Sequence, residues 1–337
     1  MSINQSKSIK ALGLCSGGLD SMLAGLLLTK QGIDVQWICF ETPFFNANNA
    51  RMASKQTGIP LIVKNITKAY VEMLKNPRQG YGKYMNPCTD CHVLMYQLAG
   101  EVMKQIDAHF LFSGEVSGQR PKSQKRSTLR YIEKQSGYQG YILRPLSAKL
   151  LPKSIPEENG WVNREQLMAI NGRSRKAQID LAQQFGITDY PNPAGGCLLT
   201  EPQYVARLKD LFEKGPYYHD RDLYLLQWGR HFRLNDRYKI IVGKSKQDNE
   251  NISQYYLKEQ DYLLRTDDIP GPTVLIPYGC DKQTLEMTAQ ITVGYTKAPN
   301  NELTTVKCFG SDSVFDIQTV PLGREISQKW IIKTKSD

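Results

Sequence analysis

Residues 16–21 read Ser-Gly-Gly-Leu-Asp-Ser and join an apolar run, Lys10–Cys15, to a helical pattern that starts near Asp20. Adjacent glycines let the backbone come close to an anion, and a helix N-terminus aims free N–H groups and partial positive charge at the same point. Ser16, Gly17, Gly18, Asp20 and Ser21 are therefore candidate phosphate-binding residues. The hydroxyls would donate, the loop amides would cradle, and Asp20 would cap the helix or position a metal ion. The spacing is neither that of the ordinary P-loop nor Gly-x-Gly-x-x-Gly.

A second group consists of thiols. Cys88 and Cys91 lie in Asn-Pro-Cys-Thr-Asp-Cys-His, residues 86–92, just ahead of a helical pattern. That position favours thiolate over thiol. Cys197 follows Pro193-Ala194-Gly195-Gly196, a stretch able to carry a thiol to the nucleotide site. Three thiolates suffice for a four-iron, four-sulfur cluster with one iron open; adding His92 would make a zinc site, and an inert pair is the third reading. Cys15 and Cys39 end apolar runs and read as small buried hydrophobes.

These residues need a scaffold that gathers loops on one edge. Strand-like runs at 10–15, 35–40, 61–66, 110–113 and 141–143 alternate with helical patterns near 20–31, 48–57, 70–74, 92–106 and 176–185. Such alternation predicts a doubly wound parallel sheet with helices on both faces, an α/β class in which ligands bind beyond the strand ends. A helical pattern at 201–214 stops at Gly215-Pro216, which sets expected domains of 1–215 and 216–337. Beyond it, short runs at 238–242, 273–277 and 290–295 predict strands of a smaller α+β or mainly β domain.

Charge separates the halves. Of the 43 Lys and Arg, 27 fall in residues 1–215 against 17 Asp and Glu, whereas residues 216–337 are balanced at 16 each. The excess is densest at Arg120, Lys122, Lys125, Arg126, Arg130 and Lys134, a patch suited to a polyanion such as RNA. At 40% hydrophobic content the 337-residue chain is expected to be globular. No apolar run nears the roughly 18 residues of a membrane span. The opening MSINQSKSIK has no secretory apolar stretch, so a cytoplasmic location and no membrane partner are expected.

The first half resembles a known family. SGGLDS is similar to the SGGxDS loop of the ATP pyrophosphatases. SGGLDS, NPCTDC, SGEVSGQ (113–119), ILRPL (142–146) and PAGGCLL (193–199) follow the order seen in tRNA 4-thiouridine synthetases and related tRNA thiolases, over roughly residues 8–210. The resemblance implies a PP-loop domain binding ATP and Mg²⁺, adenylation of a tRNA uridine with release of pyrophosphate and AMP, and sulfur transfer involving Cys197. Asp20, Cys88, Cys91 and Cys197 are then the catalytic candidates. Cys88, Cys91 and Cys197 match thiolases that hold an iron–sulfur cluster, and the cluster is favoured here over a persulfide. Sulfur would come from a donor protein or free sulfide.

The second half resembles the NFACT-R (DUF814) module, through Trp-Gly-Arg-His-Phe-Arg-Leu at 228–234, Tyr238–Gly243 and Asp-Asp-Ile-Pro-Gly-Pro at 267–272. Arg230, His231 and Arg233 alternate cations with aromatics, a chemistry for phosphate contact and base stacking. Among lesser candidates, His109 reads as structural. Glu115 and Gln119 would orient uridine or magnesium, or act as caps. Arg144 would meet phosphate or form an ion pair, and Arg173, Arg175 and Lys176 would meet phosphate at a helix start. Two rivals keep the fold: an ATP pyrophosphatase activating a small molecule, and an RNA-binding adaptor holding ATP as a structural ligand.

Overall fold

The computed structural model describes residues 8–120, 123–192, 196–215, 218–311 and 313–334. The chain forms two compact units, Met1–Thr200 and Glu201–Asp337. No helix of the described residues is long and apolar enough to cross a membrane.

The first unit runs β1 (Lys10–Leu14), α1 (Leu19–Thr29), β2 (Asp34–Glu41), α2 (Asn48–Thr57), β3 (Leu61–Asn65), α3 (Thr67–Lys75), α4 (Cys88–Gln105), β4 (Phe110–Ser113), α5 (Arg126–Ser136), β5 (Ile142–Leu143), α6 (Ile155–Glu158) and α7 (Lys176–Gln184). Its five strands are all parallel, in the order β3-β2-β1-β4-β5. The expected doubly wound sheet is what forms. In β2, Trp37 and Ile38 point to opposite faces and neither is exposed, as a strand covered on both sides by helices requires. The helix α1, LDSMLAGLLLT, is buried at eight of its eleven positions because it lies on the sheet and also packs against α7. Strand order reverses at β1 and β4, so the turns that leave these neighbouring strands open a crevice at their carboxyl ends.

The second unit runs α8 (Pro202–Lys214), α9 (Asp220–Leu225), β6 (Arg230–Arg233), β7 (Lys239–Val242), α10 (Lys246–Gln254), β8 (Tyr262–Thr266), β9 (Val274–Ile276), α11 (Lys282–Gly294), β10 (Thr304–Phe309), β11 (Val314–Thr319) and α12 (Arg324–Ser327). Its six strands are antiparallel, ordered β11-β10-β8-β9-β7-β6. The compact units meet at Thr200/Glu201, ahead of the Gly215-Pro216 breaker; buried Arg207 of α8 donates to the carbonyls of Leu226 and Gly229 at 2.7 and 3.1 Å. One expectation is corrected. Residues 290–295, expected as a strand, belong to the end of α11 and its cap. Thr288 and Thr292 return their hydroxyls to carbonyls four residues back at 2.8 Å, which lets a β-branched run stay helical.

Candidate functional site

The glycine loop leaves β1 and enters α1 at the crevice. Gly17 adopts φ +73° against the start of α2, where a Cβ would lie 2.1 Å from the Asn49 carbonyl carbon, so no other residue fits. The loop is partly closed on itself. The Gly17 and Gly18 amides make long contacts of 3.4 Å to Cys15 Sγ and Ser16 Oγ. Ser21, expected to donate to phosphate, is buried and donates instead to the Gly18 carbonyl at 2.7 Å, which holds the turn. Ser16 is exposed. Among the described residues no acceptor takes the N–H groups of Leu19 and Asp20, so the open donors are those of the first helical turn.

Asp20 does not cap α1: Gly18 holds that position and makes no side-chain cap. Its Oδ1 is buried and unpartnered. Burial raises the Asp20 pKa, while Gln119, Arg175, Gln178 and Arg120 beside it pull the other way. Arg120, expected on an RNA patch, and Arg175, expected as a phosphate contact, are thus both near enough to Asp20 to lower its pKa. Gln178 on α7 was not anticipated; only packing of α7 on α1 brings it there.

The thiols gather at α4. Cys88 opens the helix and Cys91 follows in its first turn. Asn86 donates to Cys88 Sγ at 3.2 Å. Cys91 and Cys197 feel each other and Cys88, and the Tyr70 hydroxyl of α3 hydrogen-bonds Cys91. The expected thiolate character is reversed: burial pushes Cys91 up to about 12 and Cys197 up to about 11. Desolvation here outweighs the helix terminus. Tyr70 carried no sequence signal. Among the described residues no group of three or more His, Cys, Asp or Glu could hold a metal ion.

His92 is engaged by Glu115. Its Nδ1 lies 2.8 Å from Glu115 Oε1, in a buried network where Glu115 Oε2 accepts from Tyr96 at 2.8 Å and from Arg144 Nε at 3.0 Å. Arg144 also pairs with Glu133. Burial opposes the Glu115 charge, but Arg144 and His92 outweigh it and hold the carboxyl well below its usual range. Glu115 and Arg144 are thus structural ties between α4, α5 and the strand ends. His109 is structural too, accepting from the Lys10 amide at 3.1 Å and lying edge-on to Trp161.

The basic residues sort by geometry. Arg126, Arg130 and Lys134 are exposed along one stripe of α5, and no ion pair among the described residues engages them or Lys125. Lys122 lies outside the described residues. In the second unit His231 is core, 1% exposed, with burial holding its pKa well below the usual value, so it is no RNA-facing cation. Arg233 is bound by both oxygens of Asp210 at 3.0 and 2.6 Å. His231 and Arg233 share one face of β6 and Phe232 on the other face is buried too, so this strand is covered on both sides and leaves little of its run to solvent. Arg230 lies 5.0 Å from the Tyr295 ring centroid, and Arg324 lies 5.3 Å from the same ring.

Fold, crevice and loop define the first unit as a PP-loop-type α/β domain. Comparison with known proteins is more specific. Residues 6–149 match the family described as thiamine biosynthesis protein (ThiI), and residues 229–331 match the NFACT protein RNA binding domain. The two matches lie side by side, the first within unit one and the second within unit two. A probable tRNA sulfurtransferase of Staphylococcus saprophyticus is 30% identical over 119 residues, 33% of this chain and 28% of that protein. The tRNA-specific 2-thiouridylase MnmA 2 of a Thermoanaerobacter species is 27% identical over 168 residues, 43% of this chain and 45% of that protein. The chain thus spans under half the length of these curated relatives. A solved structure from Methanocaldococcus jannaschii, titled a predicted subunit of tRNA methyltransferase, is 16% identical and covers 52% of this chain and 76% of its own. Its TM-score of 0.34 is too low to bear on function.

Proposed function

We propose that this protein is a tRNA sulfurtransferase that thiolates a uridine, using ATP to turn the uridine carbonyl oxygen into an adenylate. The observation that carries the reading is the unpartnered Asp20 Oδ1, flanked by Arg120 and Arg175 at the open first turn of α1, within the same unit as three clustered thiols. The first-turn amides and the two arginines bind and orient the triphosphate. The uridine oxygen attacks the α-phosphorus and pyrophosphate leaves. Magnesium, when bound, would be held by Asp20 and would supply charge neutralisation on the leaving pyrophosphate.

No step is routed through an iron–sulfur cluster. Cys197 instead carries a persulfide, its outer sulfur received from the persulfide of a sulfur donor protein, whose thiol is the leaving group. Its terminal sulfur attacks the activated carbon and AMP departs. A second thiol, Cys88 or Cys91, loses its proton and attacks Cys197 Sγ, which frees the thiocarbonyl and leaves a disulfide for later reduction. The substrate makes a cytoplasmic location the natural one. Basic residues of α5 and the second unit hold the tRNA.

Mass spectrometry of tRNA nucleosides tests this. A deletion strain should lose one thiouridine, restored by the wild-type gene but not by Asp20→Asn or Cys197→Ser. An unchanged nucleoside profile contradicts the proposal and favours activation of a small molecule.

A further inference from the structure

We propose that the second unit holds one unpaired nucleotide of an RNA chain in the hollow beside Tyr278, with its phosphate at Arg237 and Lys239 and its base against the Tyr278 ring. The inference rests on the reading that the chain binds RNA, and deepens it by naming the site.

The hollow has a volume of about 430 Å³. That is the size of a small-ligand site and far too small for a duplex, whereas proteins read RNA mostly through unpaired nucleotides that can be splayed out. Lys214, Arg233, Arg237 and Lys239 line it, with Asp222 the single carboxylate in the lining. A second hollow of about 620 Å³ adjoins it, sharing Arg237, Gln260, Pro277 and Tyr278. That neighbour is lined by Glu259, Asp261 and Asp281. Tyr278 therefore stands between a cationic and an acidic hollow, and an entering phosphate has only one favourable side.

Tyr278 is held in an unusual way. Its backbone adopts φ +63°, a region that side-chain-bearing residues avoid. Its N–H donates to Asp261 Oδ1 at 3.0 Å, its hydroxyl donates to Asp222, and Arg221 lies 5.1 Å from the ring centroid. Such strain persists only where the surroundings over-determine it, and it concentrates at functional positions. Tyr278 as a whole residue is nevertheless 45% exposed, with the His219 ring centroid 6.1 Å away. A rigid, exposed aromatic beside cations is a stacking platform for a base.

Lys239 adds a second signature. Its side chain is 12% exposed and lies 3.6 Å from Asp210, which Arg233 also engages. Burial lowers its pKa to about 8, reinforced by Arg233 and opposed by Asp210 and Asp222; the neutral His231 lies beside it. A phosphate placed here favours the charged amine. Binding near pH 8 is then accompanied by proton uptake, and affinity falls as pH rises above 8.

The test is calorimetry of uridine 5′-monophosphate binding to the full chain, with a non-hydrolysable ATP analogue saturating the first unit. Titrations at pH 8 run in two buffers of different ionisation enthalpy. The expected result is binding with proton uptake, weakened at least tenfold by Arg237→Gln and by Tyr278→Gly. Arg237 is exposed, so its replacement does not threaten the fold, and glycine suits the Tyr278 backbone at φ +63°; a thermal melt of Tyr278→Gly shows that it is folded before its affinity is read. Ribose 5-phosphate should bind at least tenfold more weakly than the nucleotide. Unchanged affinity in both variants, equal binding of ribose 5-phosphate, or no proton uptake overturns the proposal. Wild-type protein that binds tRNA but not the mononucleotide overturns the hollow alone; failure to bind tRNA overturns the RNA reading beneath it.

Discussion

Gly114 presses against Asp20: a Cβ at residue 114 would lie 2.4 Å from the Asp20 backbone carbon and oxygen. The turn leaving β4 is thus locked onto the first turn of α1, across the point where the sheet reverses its strand order. This contact fixes the crevice in which the nucleotide would sit. Gly114→Ala should force the two turns apart, lowering ATP affinity at least tenfold and thermal stability by about 1–3 kcal/mol. Equilibrium binding and a denaturation curve measure both.

Asp20→Asn should separate stability from function. Because burial raises the carboxyl pKa in the folded state, ionised Asp20 is a destabilising charge at neutral pH, and the stability associated with its protonated form is lost as pH rises through the folded pKa. The neutral isostere should raise the thermal midpoint at pH 7 while lowering turnover at least 100-fold. Calorimetric melting alongside a turnover assay decides it. A lower midpoint contradicts the assignment of the buried charge.

The fold was legible because hydrophobic content rises and falls with the strands, and because the glycine loop interrupts it at one point. The functional residues were half legible. Ser16, Gly17, Gly18 and Asp20 stand in a contiguous motif, but Gln178 and Tyr70 reach the loop and the thiols only through packing of α7 and α3. His231 and Arg233 differ from the sequence expectation for a related reason: a run of cations and aromatics looks the same whether its members face solvent or are buried in a core and an ion pair. The acidity of Cys91 was misjudged because a helix terminus is visible in sequence and desolvation is not.

The thiols should react slowly at neutral pH. With Cys91 held near 12 and Cys197 near 11 by burial, iodoacetamide labelling of each should keep accelerating as pH rises from 7 towards 11. Residue-resolved mass spectrometry reads the rates. A plateau already reached at pH 7 would show that a thiolate is present.

RNA affinity should follow the stripe on α5. Replacing Arg126, Arg130 and Lys134 by alanine should weaken tRNA binding and reduce the slope of log affinity against log salt by about 2–3, as expected for three lost phosphate contacts. ATP binding should not change. An unaltered salt slope moves the footprint away from this helix.

The central claim concerns which bond of ATP is broken. Incubation of the full chain with ATP, magnesium, tRNA and a sulfur donor, followed by quantitative separation of nucleotides and phosphates, tests it most directly. The account predicts AMP and pyrophosphate in equal amounts, formed only with tRNA present and matched by thiouridine once sulfur is supplied. ADP and orthophosphate, or AMP release that is indifferent to tRNA, would contradict it.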